Sequence, residues 1–172
     1  MSTFGFVLHR ERAGELARNT IDWLLERGHE VRLEADDAAL VGSPELAVGP
    51  GELCQETDLI LSLGGDGTML RAVELAAADD VPVLGVNLGQ LGYLTEVEPS
   101  GVRMALKRFL AGSYTIEERM RLDAVVTDAD GERRSSALNE VVVEKSEMGH
   151  TVRLDVSLDG RPFSSYVADG LI

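Results

Sequence analysis

The sequence predicts an α/β protein with two domains: a first domain built on a parallel sheet, then the beginning of an all-β domain. Two observations predict this class. Over residues 1–112, short apolar strand patterns alternate with amphipathic helical patterns, which is typical of βαβ units. Over residues 113–172, strand patterns follow one another without helices, and Asp130-Gly131 and Asp159-Gly160 are typical hairpin turns. We therefore place the domain boundary after Gly112.

The elements of the first domain are predicted from apolar periodicity and from stop signals. The longest helix, over residues 11–27, has apolar side chains at helical spacing and a glycine, Gly28, at its end. Residues 35–51 contain three glycines and two prolines before the third strand and are predicted to be a loop. Strands are predicted at residues 4–8, 31–33, 59–63 and 83–86, and the other helices at residues 69–78 and 102–111.

The second domain is predicted to contain only strands. The alternation of apolar residues at 152, 154, 156 and 158 indicates a strand with one buried face. The sequence stops directly after a strand pattern and a turn, so we expect it to be a fragment of a longer, two-domain protein. Strands are predicted at residues 121–128, 136–144, 151–158 and 162–167.

Composition and charge limit the function classes. The net charge is −14, which disfavours binding to nucleic acid or to an anionic membrane. Of 16 basic residues only Lys107 and Lys145 are lysine; such an acidic, arginine-rich surface suits a salt-rich cytoplasm, or else reflects codon bias. We find no basic leader and no apolar window of transmembrane length, so a cytoplasmic location is predicted. Cys54 is the single cysteine, which excludes an intrachain disulfide.

The most informative motif is Gly64-Gly65-Asp66-Gly67-Thr68, which follows a strand and precedes a helix. Open α/β sheets bind phosphorylated ligands at such turns. We expect the glycines to allow positive φ and close backbone approach, and Thr68 to cap the helix. A carboxylate there would repel an anion unless it holds a metal ion or takes a proton from a hydroxyl. The turn therefore predicts phosphoryl transfer to an alcohol; the alternative is that Asp66 is a cap.

Three weaker candidates follow. In the loop over residues 85–96, Gly89 and Gly92 free the backbone and Tyr93 offers a ring for a base; a surface loop is the alternative. Asn139-Glu140 offers polar groups suited to ribose hydroxyls, or else is a solvated strand end. Asp169-Gly170 is a further candidate, or an ordinary turn. The histidines at 9, 29 and 150 show no metal-ligand spacing and are interpreted as structural or surface residues.

Together these motifs resemble those of NAD kinases, in their order and approximate spacing, from Phe4 to the last residue. The residues that carry the resemblance are Gly64-Gly65-Asp66-Gly67-Thr68, residues 87–95 (NLGQLGYLT), Asn139-Glu140 and residues 166–172 (YVADGLI). Two departures stand out: Tyr93 replaces the usual Phe, and the Thr-Pro-Thr-Gly-Ser-Thr-Ala-Tyr-like segment that follows in the family is absent. The acidic composition resembles that of haloarchaeal members.

The resemblance implies transfer of a phosphoryl group, from ATP or polyphosphate with Mg²⁺ or another divalent cation, to the 2′-hydroxyl of the adenosine ribose of NAD. It implies a catalytic role for Asp66, which can also approach the metal, and a homo-oligomer, either dimer or tetramer. It further implies that NAD is held by Asp66, Gly67, Tyr93, Asn139, Glu140 and Asp169, and that the phosphate site is lined by Gly64, Gly65, Gly67 and Thr68.

Two other functions stay open at this point. A lipid kinase of the same superfamily also uses a glycine-Asp turn, although Asn139-Glu140 and the 85–96 loop argue against it. A non-catalytic module that senses nucleotides would keep the pocket without turnover.

Overall fold

The structure is a computed structural model that describes residues 1–89, 92–146 and 149–172. The chain folds as two compact units, Met1–Glu117 and Glu118–Ile172. The first unit alternates strands and helices, as its sequence patterns predict. Its elements are β1 (Thr3–Leu8), α1 (Gly14–Leu25), β2 (Glu30–Leu33), α2 (Ala35–Val41), β3 (Leu59–Gly64), α3 (Asp66–Ala76), β4 (Val83–Asn87) and α4 (Val102–Leu110), with short 3₁₀ turns at Pro44–Leu46 and Pro99–Gly101.

The strands of the first unit form one parallel sheet in the order β2-β1-β3-β4. The chain moves from β1 outward to β2, then crosses back to β3 on the other side of β1. The strand order therefore reverses between β1 and β3, and such a switch point opens a crevice at the carboxyl ends of the strands. In the register, Leu8 lies opposite Leu63 and Gly64 lies opposite Asn87, so the three strand ends are adjacent.

Burial on both faces of the sheet explains the apolar character of the central strands. Phe4, Phe6 and Leu61 are fully buried on one face, where helices α1 and α4 cover them. Val7 and Ile60 point to the opposite face and pack with Ala72 of α3. Fully burying a side chain of the Val, Leu or Phe type stabilises the fold by roughly 1.5–3 kcal/mol. The prediction of a parallel α/β domain is confirmed.

The predicted loop over residues 35–51 is wrong in its first half, which forms helix α2. This helix has only seven residues, with two aspartates in its first turn, so it is too short to show a helical pattern of apolar residues. Acidic residues in a first helical turn complement the helix dipole, and Gly42 ends the helix at φ 77°. The predicted start of α1 is also too early, since the helix begins at Gly14.

The second unit consists of antiparallel pairs. Its strands are β5 (Leu122–Asp128), β6 (Gly131–Ala137), β7 (Val143–Glu144), β8 (Val152–Leu158), β9 (Arg161–Ala168) and β10 (Gly170–Leu171), paired as β5–β6, β8–β9 and β7–β10. Both predicted hairpin turns are confirmed. Asp159 and Gly160 have φ 49° and 74°, the positive values that a type I′ turn requires.

The predicted continuous strand over residues 136–144 is wrong, because it is divided into the end of β6 and the short β7. Strand β6 pairs with β5, whereas β7 pairs with β10. The chain must leave one sheet and enter another between them, and the break falls at Asn139-Glu140. Within the described part of the chain, no helix is long and apolar enough to cross a membrane.

Candidate functional site

The glycine motif lies at the carboxyl end of β3 and forms the first turn of α3. The helix begins at Asp66, with Gly65 as its N-cap residue and no side-chain cap. The first N–H to bond back within the helix is that of Met69, which donates to the Gly65 carbonyl at 3.0 Å. The prediction that Thr68 caps the helix is therefore wrong, since Thr68 lies inside it. The N–H groups that precede Met69 have no intrahelical acceptor and suit an anion.

The glycines of the turn allow other atoms to approach the backbone closely; they do not adopt unusual backbone angles. None of Gly64, Gly65 and Gly67 has the positive φ that the sequence led us to expect. A β-carbon on Gly64 would lie 2.1 Å from Oγ1 of Thr68, so Gly64 is needed for packing within the turn. Around Gly65 and Gly67 the space is open to 4 Å, which leaves their backbone accessible to a ligand.

The carboxylate of Asp66 is held by the backbone of the 92–94 segment. Its Oδ2 accepts a hydrogen bond from the N–H of Tyr93 at 3.0 Å, and its Oδ1 accepts one from the N–H of Leu94 at 3.1 Å. The charge is thus offset by two amide dipoles. This arrangement explains how an acidic residue can stand in a turn suited to anions.

The 92–97 segment reaches Asp66 because it returns alongside β4. Val97 donates its N–H to the Gly85 carbonyl at 3.1 Å, and its own carbonyl accepts the Asn87 N–H at 2.8 Å. A β-carbon on Gly85 would lie 3.1 Å from Cα of Thr95, so the glycine permits this packing. Tyr93 is 96% exposed, which leaves its ring available to a ligand. Gln90 and Leu91 of the predicted loop lie outside the described residues.

A cleft of about 250 Å³ opens at the switch point of the sheet. The loop after β4 closes one side of it, because Leu88 donates its N–H to the Gly64 carbonyl at 2.8 Å. The cleft is lined by His9, Arg12, Gly64, Gly65, Gly67, Thr68, Asn87, Leu88 and Gly89. The four residues that were predicted to line the phosphate site therefore all line this cleft.

His9 and Arg12 are functional candidates that the sequence analysis missed, and His9 was interpreted as structural or surface. His9 directly follows β1, and its N–H donates to the Leu63 carbonyl at 2.9 Å. His9 can be recognised as a site residue only when β1 is known to pair with β3. A residue that follows the carboxyl end of β1 must then lie beside the glycine turn.

An ion pair with one buried partner links helices α2 and α3. Asp37 of α2 is 2% exposed, accepts the N–H of Leu8 at 3.1 Å, and contacts the guanidinium of Arg71 on α3. Arg71 also reaches Glu34 at 3.3 Å. Burial raises the pKa of Asp37, against the opposing effects of the Leu8 hydrogen bond and of Arg71. The pair connects the helix of the glycine turn to the strand that leads to His9.

The other predicted residues belong to the second unit. Asn139 and Glu140 are exposed between β6 and β7. Asp169 is exposed just before β10, and its Oδ1 lies 2.5 Å from Nζ of Lys145, a partner that the sequence analysis did not select. The pairing of β7 with β10 creates this contact, since Lys145 also donates its N–H to the Asp169 carbonyl at 3.0 Å.

The described residues, 1–89, 92–146 and 149–172, contain no cluster of three or more His, Cys, Asp or Glu side chains suited to a metal ion. Both oxygens of Asp66 already accept N–H groups.

A parallel sheet with a glycine turn at its switch point is typical of α/β proteins that bind phosphorylated ligands. Residues 4–114 match the family model for the ATP-NAD kinase N-terminal domain, and the chain belongs to this family. It is 41% identical over 174 residues to the NAD kinase of Moorella thermoacetica, and 42% identical over 176 residues to that of Heliobacterium modesticaldum.

These alignments cover 100% of this chain but only 56% and 62% of the two relatives, so the chain spans little more than half their length. Among solved structures, the chain resembles yeast NADH kinase complexed with NADH, with a TM-score of 0.84 and 20% identity. That match covers 99% of this chain and 56% of the yeast chain. It confirms the predicted two-part fold, an α/β domain followed by β-strands.

Proposed function

We propose that the full-length protein transfers a phosphoryl group from ATP to the 2′-hydroxyl of the adenosine ribose of NAD, which gives NADP. The observation that carries this proposal is Asp66, a carboxylate held by two backbone N–H groups at the edge of a phosphate-binding turn. Membership of the ATP-NAD kinase family supports the choice of substrates. In this proposal residues 1–112 carry the phosphate site, and residues 113–172 begin the NAD-binding domain.

Asp66 is the general base of the proposed reaction. Each carboxylate oxygen has two acceptor positions, and the N–H groups of Tyr93 and Leu94 occupy one on each oxygen. A free position is left for the hydroxyl of the ribose. The two hydrogen bonds orient the carboxylate, so that it can take the proton as the hydroxyl oxygen attacks the terminal phosphorus.

The phosphates of the donor bind at the amino end of α3, against the open backbone of Gly65 and Gly67 and near Thr68. Phosphoryl transfer depends mainly on positioning and on charge neutralisation, and backbone N–H groups at a helix start supply both. A divalent cation such as Mg²⁺ would neutralise the remaining phosphate charge, and Asp66 is the carboxylate of the turn that we propose to approach it. We propose ATP as the donor, with polyphosphate as a second donor to be tested.

By the family resemblance, we propose that Tyr93 binds a base of NAD and that Asn139, Glu140 and Asp169 bind hydroxyl and amide groups of NAD. The exposed ring of Tyr93 suits stacking on a base. Asn139 and Glu140 are exposed, so both side chains are accessible to a ligand.

The direct test is a NADP-formation assay on the full-length protein, with ATP and polyphosphate as alternative donors and NAD, NADH and diacylglycerol as alternative acceptors. We expect NADP from NAD and ATP. Phosphorylation of diacylglycerol alone would replace the proposal with a lipid kinase. Binding of NAD without any NADP would replace it with a nucleotide sensor.

We also propose three broader properties. The protein is expected to work in the cytoplasm, to tolerate high salt because of its net charge of −14, and to form a homo-oligomer, either dimer or tetramer. Melting temperature as a function of salt, and light scattering on the purified protein, test the last two.

A further inference from the structure

One side of the cleft at the switch point is basic, and its residues have no role in the proposed function described above. His9 and Arg12 come from the segment that follows β1, the glycine turn comes from β3, and Gly89 follows β4. The guanidinium of Arg12 extends towards the loop after β4, since a β-carbon on Gly89 would lie 3.0 Å from its Nη1. Arg12 therefore reaches from the β1 side of the cleft to its β4 side.

Arg12 is the one permanently charged cation among the described residues that line the cleft. Within the described part of the chain it forms no ion pair, whereas its neighbour Arg10 lies 3.6 Å from Asp36. Backbone N–H groups donate hydrogen bonds but carry no net charge. A triphosphate in this cleft therefore needs a cation, and in a chain with a net charge of −14 an unpaired arginine beside a helix start suits that role.

His9 lies beside Arg12 with its hydrogen-bonding pattern already set. Its Nδ1 accepts the N–H of Glu11 at 3.2 Å. When the ring is neutral, its proton is therefore on Nε2, which makes that atom a donor. The β1 side of the cleft thus offers an arginine fork and an imidazole N–H, which are both groups that bind phosphate oxygens.

We propose that Arg12, with His9 beside it, binds the terminal phosphates of the phosphoryl donor opposite the amino end of α3. This inference rests on the proposed function and assigns it a donor-binding residue. Arg12 is a binding residue for the donor and not for NAD, so its loss should change the two Michaelis constants unequally.

The test compares Arg12→Gln with Arg10→Gln in the full-length protein. Arg10 is an exposed arginine two residues away and does not line the cleft, so it controls for the loss of one positive charge. We expect Arg12→Gln to raise the KM for ATP roughly ten- to a hundredfold, because a lost hydrogen bond to a charged group is of that size. The KM for NAD should change less than about threefold, and Arg10→Gln should match the wild type.

A binding measurement separates this inference from the proposed function. Inorganic tripolyphosphate titrated into each protein by calorimetry should bind the wild type and Arg10→Gln, and should bind Arg12→Gln at least tenfold more weakly. Arg12→Lys should recover part of the affinity, since it keeps the charge and loses the fork. Equal affinity of Arg12→Gln and Arg10→Gln, with both proteins folded by circular dichroism, would overturn the inference even if NADP is made. If tripolyphosphate binding depends on Arg12 but no NADP is formed, the inference about Arg12 holds and only the proposed function is overturned.

Discussion

A β-carbon on Gly92 would lie 2.3 Å from Oδ1 of Asp66, closer than any side chain can stand. The proposed base and the loop after β4 therefore fit together only because residue 92 is glycine. The N–H groups of the next two residues then reach the same carboxylate.

Gly92→Ala is expected to displace the Asp66 carboxylate without changing any charge. A misplacement of about 1 Å at a reacting group lowers turnover roughly 10²-fold, and we expect a fall in kcat of that order. Gly14→Ala is the matched control, because its β-carbon would make only ordinary contact, at 3.5 Å from Arg18. Steady-state kinetics on both variants checks this. Equal kcat values would show that the position of Asp66 does not depend on Gly92.

Asp66→Asn is expected to reduce NADP formation by roughly 10²–10⁴-fold, the usual contribution of a general base. The amide keeps one acceptor oxygen and so satisfies only one of the two N–H groups that hold the carboxylate. NAD affinity, measured by calorimetry, should stay close to that of the wild type. The control is Asp36→Asn, an exposed aspartate outside the cleft. Turnover of Asp66→Asn near the wild-type value would remove Asp66 from the chemistry.

Arg71→Met is expected to lower the free energy of unfolding by about 1.5–3 kcal/mol, because the buried Asp37 loses a charged hydrogen bond to a half-exposed arginine. The double variant Arg71→Met/Asp37→Asn should regain much of this loss, since no buried charge remains. Arg10→Met breaks an exposed pair and should change stability by less than about 1 kcal/mol. Urea unfolding measures all three. If the change in unfolding free energy of the double variant equals the sum of the two single changes, Arg71 and Asp37 are not coupled.

The pH dependence of stability should carry the signature of Asp37. Burial raises its pKa in the folded state above the ordinary 3.8, so the native protein binds this proton more readily than the unfolded chain. Its contribution to stability is therefore fully present below pH 3.8 and is lost as pH rises through the folded-state pKa. The difference in unfolding free energy between wild type and Asp37→Asn should fall as pH rises across that window. A difference that grows with pH would mean that the Arg71 charge outweighs burial.

Glu140→Ala is expected to raise the KM for NAD more than it lowers kcat. A hydrogen bond between a carboxylate and a neutral hydroxyl contributes about 1.5–3 kcal/mol, so the affinity for NAD should fall roughly ten- to a hundredfold. Glu132→Ala, an exposed glutamate on β6, is the control. If calorimetry shows unchanged NAD affinity, Asn139-Glu140 does not bind NAD and is only the segment that connects two sheets.

Much of this protein could be predicted from local patterns alone. Apolar runs of strand length and helical spacing determined the alternating elements of the first unit, because each pattern depends on neighbours within a few residues. The Asp-Gly turns determined two hairpins, and the strand-glycine-helix order located the turn between β3 and α3 at Gly64–Thr68. Helix α2 was not predicted, because seven residues that include two aspartates show too little apolar periodicity.

Tertiary structure decided what lies beside the turn. Strand order brings His9 and Arg12 to the glycine motif, although Arg12 and Gly64 are distant in sequence, and no local pattern encodes which strands are neighbours. The return of the 92–97 segment along β4 decides that Asp66 faces two backbone N–H groups. The burial of Asp37 follows from the packing of α2 against α1 and β1, and Arg71 of α3 then contacts its carboxylate. The sequence by itself determined the elements and the chemical groups, whereas long-range packing decided which groups meet, because contact between distant segments depends on the whole fold.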